Sequence, residues 1–461
     1  MTQILAVTLV AYLVVILGLS FWVRSRIHDA EDYIVAGRRL PFSLATGTLL
    51  ATWFGAGTLL ATTNEVHRDG IGSTLLEPYG PGLCLILTGL FYAGPLWRAR
   101  ILTLQDFYRE KFGRKVERVA TLFTIGYLGW IAAQLVGVAH VLELFFGWDI
   151  LWGILATAAF AAFYTLLGGM WSVTVTDFAQ ILLVVIGLVV LVARFLIIVG
   201  SGDAGDGLSR VLAESEEGHL AFLPEGSLLA LMQWTGLALS GTIGLIASQD
   251  LLQRVFSSRS ERVAKSACLT AGGLYLLLGS GSVILGLGAH LIVDVDESIV
   301  AALAEAILSP TLGVIFILML LSCVLSTLDS ALLAPASVLA HNLLEPLLKG
   351  RVSLVTSTRA CVLVLTIASA ALAASGEAVF ALLESSYSAG IAPWLVLTIG
   401  MISKRPSPLG AFWVLILGLG FWGVEQATGW EPAIPTSVWV LVLGAALYWV
   451  LSKIDRRAQS V

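Results

Sequence analysis

A cluster of oxygen-bearing side chains lies inside an apolar run, in the stretch SCVLSTLDSALL. Its polar positions recur every three or four residues, which on a helix places most of them along one face. An isolated serine in a membrane helix donates a hydrogen bond to the carbonyl oxygen one turn back. This local hydrogen bond does not account for a cluster that includes a carboxylate. Such oxygens suit a hard cation such as Na⁺, and no histidine or cysteine is placed to bind zinc. The members of this polar stripe are Ser322, Ser326, Asp329, Ser330 and Ser337, with Thr327 beside them.

A second carboxylate within an apolar run is Asp177, in YTLLGGMWSVTVTDFAQILL. Inserting an aspartate into a membrane costs about 2.5–3.5 kcal/mol, so such residues are usually functional. Gln180 lies one helical turn away on the same face, and Gly168 and Gly169 predict a tight turn before this segment. Asp177 is expected to have a functional role or, as the alternative, to serve as a hydrogen-bonding partner near the inner interface.

Membrane-spanning helices must position these residues, because the composition excludes a soluble protein. Of the 461 residues, 57% are hydrophobic and 12% are charged, whereas about 25% of the residues in soluble domains are charged. The apolar runs predict one all-α, polytopic membrane domain over 1–461, with about thirteen transmembrane helices. The runs are 4–23, 41–64, 71–94, 117–146, 150–168, 173–200, 227–248, 263–293, 311–342, 354–374, 377–401, 408–428 and 434–452.

The lysines and arginines predict how these segments are oriented. With the N-terminus outside and the C-terminus in the cytoplasm, all but Arg68, Arg194 and Arg210 of the 26 basic residues fall on the inner side, as the positive-inside rule requires. Arg254 is among those assigned to the inner side. The chain is therefore predicted to be a multi-pass protein of the plasma (inner) membrane. Its short basic loops are explained by topology and lipid contact, and nucleic-acid binding is not expected.

Two of the segments contain paired glycines that disfavour a continuous helix. The second contains ATWFGAGT, with Gly55 and Gly57, and the seventh contains LSGTIGLIASQD, with Gly241 and Gly244. Glycine costs about 1 kcal/mol relative to alanine in a helix, and unwound backbone at depth is tolerated where it lines a cavity. Both segments are expected to be broken helices, with close helix packing as the alternative.

The two breaks are five segments apart, which predicts two repeats of five segments. The first repeat is 41–200 and the second is 227–401, and the second enters from the opposite side because five is odd. The N-terminal helix 4–23 and the two C-terminal helices within 408–452 would be peripheral. Broken helices at matching places in inverted repeats are typical of transporters with a site near the membrane centre.

The chain resembles the sodium:solute symporter family from Asp32 to about Met401. The motifs AGRRLP, YTLLGGMWSVTVTDFAQ, QRVFSSRSERVAKSA and LSTLDSALLAPASVL carry this resemblance. It implies a LeuT-type core of five-plus-five inverted repeats, in which the first and sixth core helices are broken. It also implies Na⁺-coupled symport of a small organic solute by alternating access.

The resemblance implies that one sodium ion lies between the second and ninth segments. Asp177 matches a family aspartate tied to cation coupling in some branches, and Asp329 is common in the family. These two are therefore candidates for a second cation. The implied ligands of the first sodium are the carbonyls of Leu50 and Trp53, to within one residue, the carbonyl of Cys323, and the hydroxyls of Ser326 and Thr327.

Within the family, ATWFGAGT and GLFYAGPLWRARILTLQDFYREKFG are most similar to the branch of high-affinity choline transporters. That branch holds a quaternary ammonium among aromatic rings, and Trp53 and Trp130 match two of those positions. The third falls at Ser248, so a primary or secondary amine, an amino acid such as proline, or another small polar solute stays open. The implied solute site comprises Trp53, Gly55, Trp130, Gln134, Ser248 and Gln249.

Three other functions can be weighed against this one. Proton coupling would use Asp177 or Asp329 as the carrier, but the hydroxyls of Ser326 and Thr327 can bind Na⁺ and cannot carry a proton. A transporter-like sensor is a second alternative. An enzyme is not expected, because the segments contain no nucleophile with a base and no histidine cluster. The expected partners are therefore Na⁺ as coupling ion, a small solute and the lipid membrane.

Overall fold

The structure is a computed structural model that describes residues 2–224, 226–295, 298–376, 379–430 and 432–458. Residues 296, 297, 377 and 378 of the predicted second repeat lie outside the described residues. The described chain is helical, and its β-structure is limited to an isolated bridge between Leu40 and Ser258. This confirms the all-α fold.

The α-helices are joined by short 3₁₀ and π turns, among them a π turn at Gly57–Ala61. In chain order the α-helices are α1 (Thr2–Val23), α2 (Ala30–Val35), α3 (Phe42–Trp53), α4 (Thr62–Asp69), α5 (Tyr79–Leu87), α6 (Ala93–Arg98), α7 (Leu104–Phe112), α8 (Arg114–Leu122), α9 (Tyr127–Phe146), α10 (Ile150–Val199), α11 (Ala204–Glu214), α12 (Leu228–Gly241), α13 (Ile243–Ile246), α14 (Gln249–Ser257), α15 (Glu261–Gly288), α16 (Ile299–Ile307), α17 (Pro310–Val338), α18 (Glu345–Leu348), α19 (Leu354–Ala373), α20 (Val379–Ser388), α21 (Ile391–Ile402), α22 (Pro408–Thr428) and α23 (Thr436–Ala458).

Eleven helical segments of the described chain are long and apolar enough to cross a membrane. The polytopic membrane character predicted from composition is thus confirmed. Two of these segments are long: Gly57–Arg98 has 42 residues and Ile150–Val199 has 50. Each of them contains parts of two of the predicted apolar runs, so the number of spans and the division into repeats and peripheral helices stay predictions.

The long helix α10 is interrupted at Gly169. A straight helix of this length would measure about 75 Å, more than twice the thickness of a bilayer's apolar core. Gly169 has φ 50° and ψ −150°, a conformation that side chains rarely adopt. A Cβ on this residue would lie 2.5 Å from the main-chain oxygen of Tyr33. The turn predicted at Gly168 and Gly169 is therefore present, and glycine is needed there both for conformation and for space.

Both segments with paired glycines are broken. α3 ends at Trp53, and the next residue, Phe54, has φ −74° and ψ 79°. In the seventh segment, α12 ends at Gly241, the four-residue α13 follows, and α14 begins only at Gln249. The interruptions predicted from glycine therefore occur where the sequence places them.

The helix α17 is at the centre of the packed helices. Every residue from Met319 to Val338 is buried. α3, α9, α10, α14 and α19 all pack against it. The polar stripe of α17 therefore faces other helices of the protein along its whole length, and its polar groups must find their partners there.

Replacing Gly169 by alanine is expected to lower the free energy of unfolding by about 1–3 kcal/mol, because the new side chain would be strained at positive φ. Gly273 in α15 is the matched control, since a Cβ there has no neighbour within 4 Å. Gly273→Ala is expected to be neutral or to stabilise by up to about 1 kcal/mol. Thermal unfolding in a single detergent measures both variants, and equal unfolding temperatures would contradict this explanation of the turn.

Candidate functional site

The broken end of α3 meets the middle of α17 through main-chain oxygens. The hydroxyls of Ser326 and Thr327 lie 3.1 and 3.3 Å from the carbonyl oxygen of Ala51. Both hydroxyls also lie 3.1 Å from the carbonyl oxygen of Cys323, one turn back on α17. The thiol of Cys323 donates to the carbonyl oxygen of Phe54 at 3.1 Å. Five oxygen atoms from two helices therefore lie around this junction.

The predicted carbonyls of Leu50 and Trp53 point elsewhere. Leu50 O accepts the N–H of Phe54 at 3.1 Å, as in a regular helix. Trp53 O accepts the N–H of Gly55 at 2.8 Å and lies 2.9 Å from the hydroxyl of Tyr275. The carbonyls that face α17 are instead those of Ala51 and Phe54. The difference is one residue, which is within the range of the prediction, and it arises because α3 keeps its helical hydrogen bonds up to Phe54.

Gly55 allows the unwound segment to approach two other helices closely. A Cβ at Gly55 would lie 2.6 Å from Thr327 Oγ1 and 2.7 Å from Gln134 Oε1. Gln134 Oε1 accepts the N–H of Ala56 at 2.9 Å, so α9 satisfies a main-chain donor that the break exposes. Gly55 and Gln134, which were predicted to contact solute, thus hold the break in place, and neither lines the cavity beside it.

A cavity of about 80 Å³ lies between the two broken segments and is lined by aromatic side chains. Trp53 comes from the end of α3, Tyr127 and Trp130 from α9, and Tyr387 from α20. The rings of Tyr127 and Trp130 pack with their centroids 5.8 Å apart. Trp53 and Trp130 therefore line the same cavity, as predicted. Tyr127 and Tyr387, which were not predicted to contact solute, lie beside them.

The carboxylate of Asp250 also lines this cavity and is 1% exposed. Trp53 Nε1 donates to Asp250 Oδ2 at 2.6 Å, and the hydroxyl of Tyr127 donates to Asp250 Oδ1. Both donors are neutral, and Asp250 forms no ion pair with any residue that the structure describes. A formally negative group among aromatic rings is an arrangement that attracts a cation.

The two remaining predicted solute residues, Ser248 and Gln249, line the cavity as well. The Gln249 side chain is already engaged, because its Oε1 accepts the N–H of Leu104 at 2.9 Å. The hydroxyl of Ser248 is buried without a hydrogen-bond partner among the described residues. Ser248 is thus free to contact a solute, whereas Gln249 ties α14 to the start of α7.

Glu77 is a buried acid that the sequence analysis overlooked. Its carboxylate lies 3.0 Å from the hydroxyls of both Thr58 and Tyr275, and it accepts the hydroxyl of Tyr387 at 2.8 Å. Glu77 is therefore directly behind the cavity wall that Tyr387 forms. Like Asp177, Glu77 is a carboxylate within an apolar run, 71–94, and this pattern in the sequence indicates a functional residue.

Arg254 of α14 is 1% exposed and connects the two acids predicted to bind a second cation. Its Nη2 lies 3.7 Å from Asp177 Oδ2 and also donates to Ser330 Oγ, and its Nε donates to Thr48 Oγ1 at 3.1 Å. Ser330 Oγ lies 3.1 Å from Asp329 Oδ1. Arg254, which was predicted to lie on the inner side, is in a helix rather than a loop, because α14 continues to Ser257 and buries it.

The rest of the polar stripe makes separate contacts. Ser322 donates to the hydroxyl of Tyr12 on α1 at 3.0 Å, and Gln180 Nε2 donates to the same hydroxyl at 2.9 Å. Gln180 therefore binds α1 rather than joining Asp177. Ser337 donates to Leu333 O at 2.8 Å, the bond expected for an isolated helical serine.

A sequence model of the sodium:solute symporter family matches residues 33–418 of the chain. The chain is similar to the high-affinity choline transporter 1 of Drosophila melanogaster, with 25% identity over 75% of this chain and 58% of the relative. It is also similar to the human high affinity choline transporter 1, at 26% over 61% and 49%, and to the sodium/glucose cotransporter of Vibrio parahaemolyticus, at 23% over 64% and 56%. The chain thus matches about half the length of these relatives, all of which are transporters.

Solved structures resemble the whole chain more completely. A Na⁺-coupled sialic acid symporter superposes with a TM-score of 0.81 at 17% identity, covering 98% of both chains. A transporter of the nucleobase-cation-symport-1 family superposes with a TM-score of 0.61 at 14% identity, covering 93% of this chain and 96% of that one. These likenesses confirm the predicted LeuT-type fold.

Proposed function

The chain belongs to the sodium:solute symporter family, and on this basis we propose that it is a secondary active transporter that couples Na⁺ entry to uptake of a small organic solute. The observation that supports this best is the group of oxygens between the break in α3 and the hydroxyls of Ser326 and Thr327. We place the protein in the plasma membrane, with its N-terminus outside and its C-terminus in the cytoplasm, on the distribution of basic residues.

The proposed sodium site is built from hard, neutral oxygens, which suit an alkali cation better than a transition metal. A hydroxyl keeps two lone pairs for a cation while its proton points elsewhere. The ion would connect α3 to α17 at the point where α3 loses its helical hydrogen bonds. The proposed ligands are the carbonyl oxygens of Ala51, Phe54 and Cys323 and the hydroxyl oxygens of Ser326 and Thr327.

Coupling follows from the short distance along the chain between this site and the cavity. Trp53 lies between Ala51 and Phe54, and its indole both lines the cavity and donates to Asp250. A sodium ion that fixes the break also fixes this indole, so each ligand favours binding of the other. Entry of one Na⁺ down a 100 mV potential and a tenfold gradient is worth about 3.7 kcal/mol, enough for a several-hundred-fold solute gradient.

The solute that best fits the cavity is a small organic cation with an amine or ammonium group. Trp53, Trp130, Tyr127 and Tyr387 offer aromatic faces, and Asp250 supplies negative charge. Among the described residues that line the cavity there is no lysine or arginine, so a carboxylate on the solute would have no counterion from them. Ser248 has no aromatic ring, but Tyr127 and Tyr387 supply aromatic rings to the cavity. These rings favour an amine over the amino acid that the sequence left open.

The double variant Ser326→Ala, Thr327→Ala is expected to need at least tenfold more NaCl than the wild type for the same thermal stabilisation. Two of the proposed ligands are lost, and each tenfold loss of affinity corresponds to about 1.4 kcal/mol. The measurement is unfolding temperature against NaCl concentration, with KCl holding the ionic strength constant. Ser337→Ala is the matched control on the same helix and should keep the sodium dependence of the wild type. If Ser337→Ala and the double variant show the same sodium dependence, the sodium site is misplaced.

Asp250→Asn is expected to weaken binding of organic cations at least tenfold while changing sodium affinity little, because the amide removes charge from the cavity alone. Choline, ethanolamine and dimethylamine serve as probes in a scintillation or calorimetric binding assay in saturating NaCl. Trp53→Ala should likewise weaken the solute more than sodium. Asp294→Asn, at an exposed carboxylate, is the control. An unchanged affinity of Asp250→Asn for every cation would count against a cationic solute.

A further inference from the structure

We propose that the end of α1 that lies towards the cytoplasm carries a binding site for the phosphate headgroup of an anionic phospholipid. The site is a cavity of about 330 Å³ beside the turn that follows α1, separate from the solute cavity. Among the described residues that line it there is no carboxylate. Its lining offers two guanidiniums, an imidazole, a hydroxyl and an indole, from Arg26, Arg39, His28, Ser25 and Trp171.

The first support is the way in which the two arginines are held. Arg26 Cζ lies 5.2 Å from the ring centroid of Trp171, and Arg39 Cζ lies 5.7 Å from the same centroid. Arg26 Cζ also lies 5.1 Å from the ring centroid of Trp22 on α1. All three distances are within the range of cation–π contacts. Such contacts restrict where a guanidinium can lie without using up its N–H donors, so the donors stay available to an anion.

The second support is a positive charge that has no partner. Arg39 forms an ion pair with Asp32, and Arg38 forms one with Glu31, so these two acids of α2 are already engaged. The guanidinium of Arg26 forms no ion pair or hydrogen bond with any residue that the structure describes. It therefore offers a full charge and five N–H donors at the cavity. Guanidinium and phosphate are matched in charge and in geometry, because two parallel N–H groups can bond two phosphate oxygens.

The third support is a buried donor in the lining of the cavity. Trp171 is 6% exposed, and its Nε1–H has no hydrogen-bond partner among the described residues. A buried N–H without an acceptor is unfavourable, so an acceptor from a ligand would be favoured here. Trp171 lies two residues after Gly169, so the turn in α10 sets the position of this donor.

The position of the cavity favours a lipid over a free anion. The span Val7–Arg26 ends at the cavity, and its last turns carry exposed apolar side chains, with Phe21 at 53% and Trp22 at 60%. Acyl chains cover such a face in a bilayer, and tryptophan is enriched where the chains meet the headgroups. A lipid whose chains lie along α1 would therefore place its headgroup beside Arg26. The orientation proposed above puts this end of α1 at the cytoplasmic leaflet, whose lipids include anionic ones.

The test is native mass spectrometry of the delipidated full chain in detergent, titrated with phosphatidylglycerol, phosphatidylcholine or inorganic phosphate. The two lipids share the phosphodiester but differ by one net charge, and one charge near a membrane surface is worth about fivefold in affinity. The first phosphatidylglycerol should therefore bind to the wild type about five times as tightly as phosphatidylcholine, or tighter. Inorganic phosphate at the same concentration should not displace it.

Arg26→Gln is expected to weaken binding of the first phosphatidylglycerol about fivefold, because it removes a charge that has no other partner. Arg26→Lys, which keeps the charge, should lose less. Arg100→Gln is the matched control and should bind as the wild type does. Arg100 also lies over a tryptophan, with its Cζ 4.0 Å from the ring centroid of Trp97, but it does not line the cavity.

Equal affinity of the wild type and a folded Arg26→Gln for phosphatidylglycerol would overturn the proposal. An equal loss in Arg100→Gln would also overturn it, since any basic residue would then do. Displacement of the lipid by inorganic phosphate would show a site for free anions instead. If Arg26→Gln does not fold, Trp171→Phe decides, because it keeps a ring and removes the indole N–H. Unchanged lipid affinity of that variant would contradict the site.

Discussion

The break in α3 leaves main-chain groups without helical partners in a region that has little water, and the rest of the core satisfies them. Three different helices, α9, α15 and α17, bond these groups, because no single neighbour can reach them all. The N–H of Ala56 donates to α9, and three carbonyls face side chains of α15 and α17. This requirement explains why polar residues cluster on otherwise apolar helices. The partners are Ser326 and Thr327 for Ala51 O, Cys323 for Phe54 O, Tyr275 for Trp53 O and Gln134 for the Ala56 N–H.

The buried acids differ in the kind of hydrogen-bonding or charged partner that each one has. Glu77 is surrounded by hydroxyls, Asp250 by an indole and a phenol, and Asp177 by a guanidinium and a hydroxyl. A neutral donor orients a carboxylate and leaves its charge available, whereas a guanidinium compensates the charge. In the proposed function, the cavity beside Asp250 thus keeps a negative charge for a cationic solute, whereas the guanidinium of Arg254 already compensates charge in the cluster around Asp177.

Hydrophobic patterning and glycine placement were enough to predict the helical membrane fold and both breaks, because these depend on local composition. The carbonyl register at the break could not be predicted to the residue, since it depends on where the last helical hydrogen bond forms. Asp250 was not predicted to line the site, and Arg254 was not predicted to be buried, for one reason. The seventh segment was ended at residue 248, whereas α14 continues to Ser257 and carries these residues one turn apart into the core. The positive-inside rule describes loops, and it has no way to recognise a buried arginine.

In the proposed mechanism, sodium at the break of α3 orders the wall of the solute cavity through Trp53. The most direct test is the Kd of the best-binding organic cation, measured with wild-type protein in saturating NaCl and again in KCl. We predict that sodium strengthens solute binding at least tenfold, and that saturating solute strengthens sodium binding by the same factor, as linkage requires. A solute Kd that is the same in NaCl and KCl would contradict the claim.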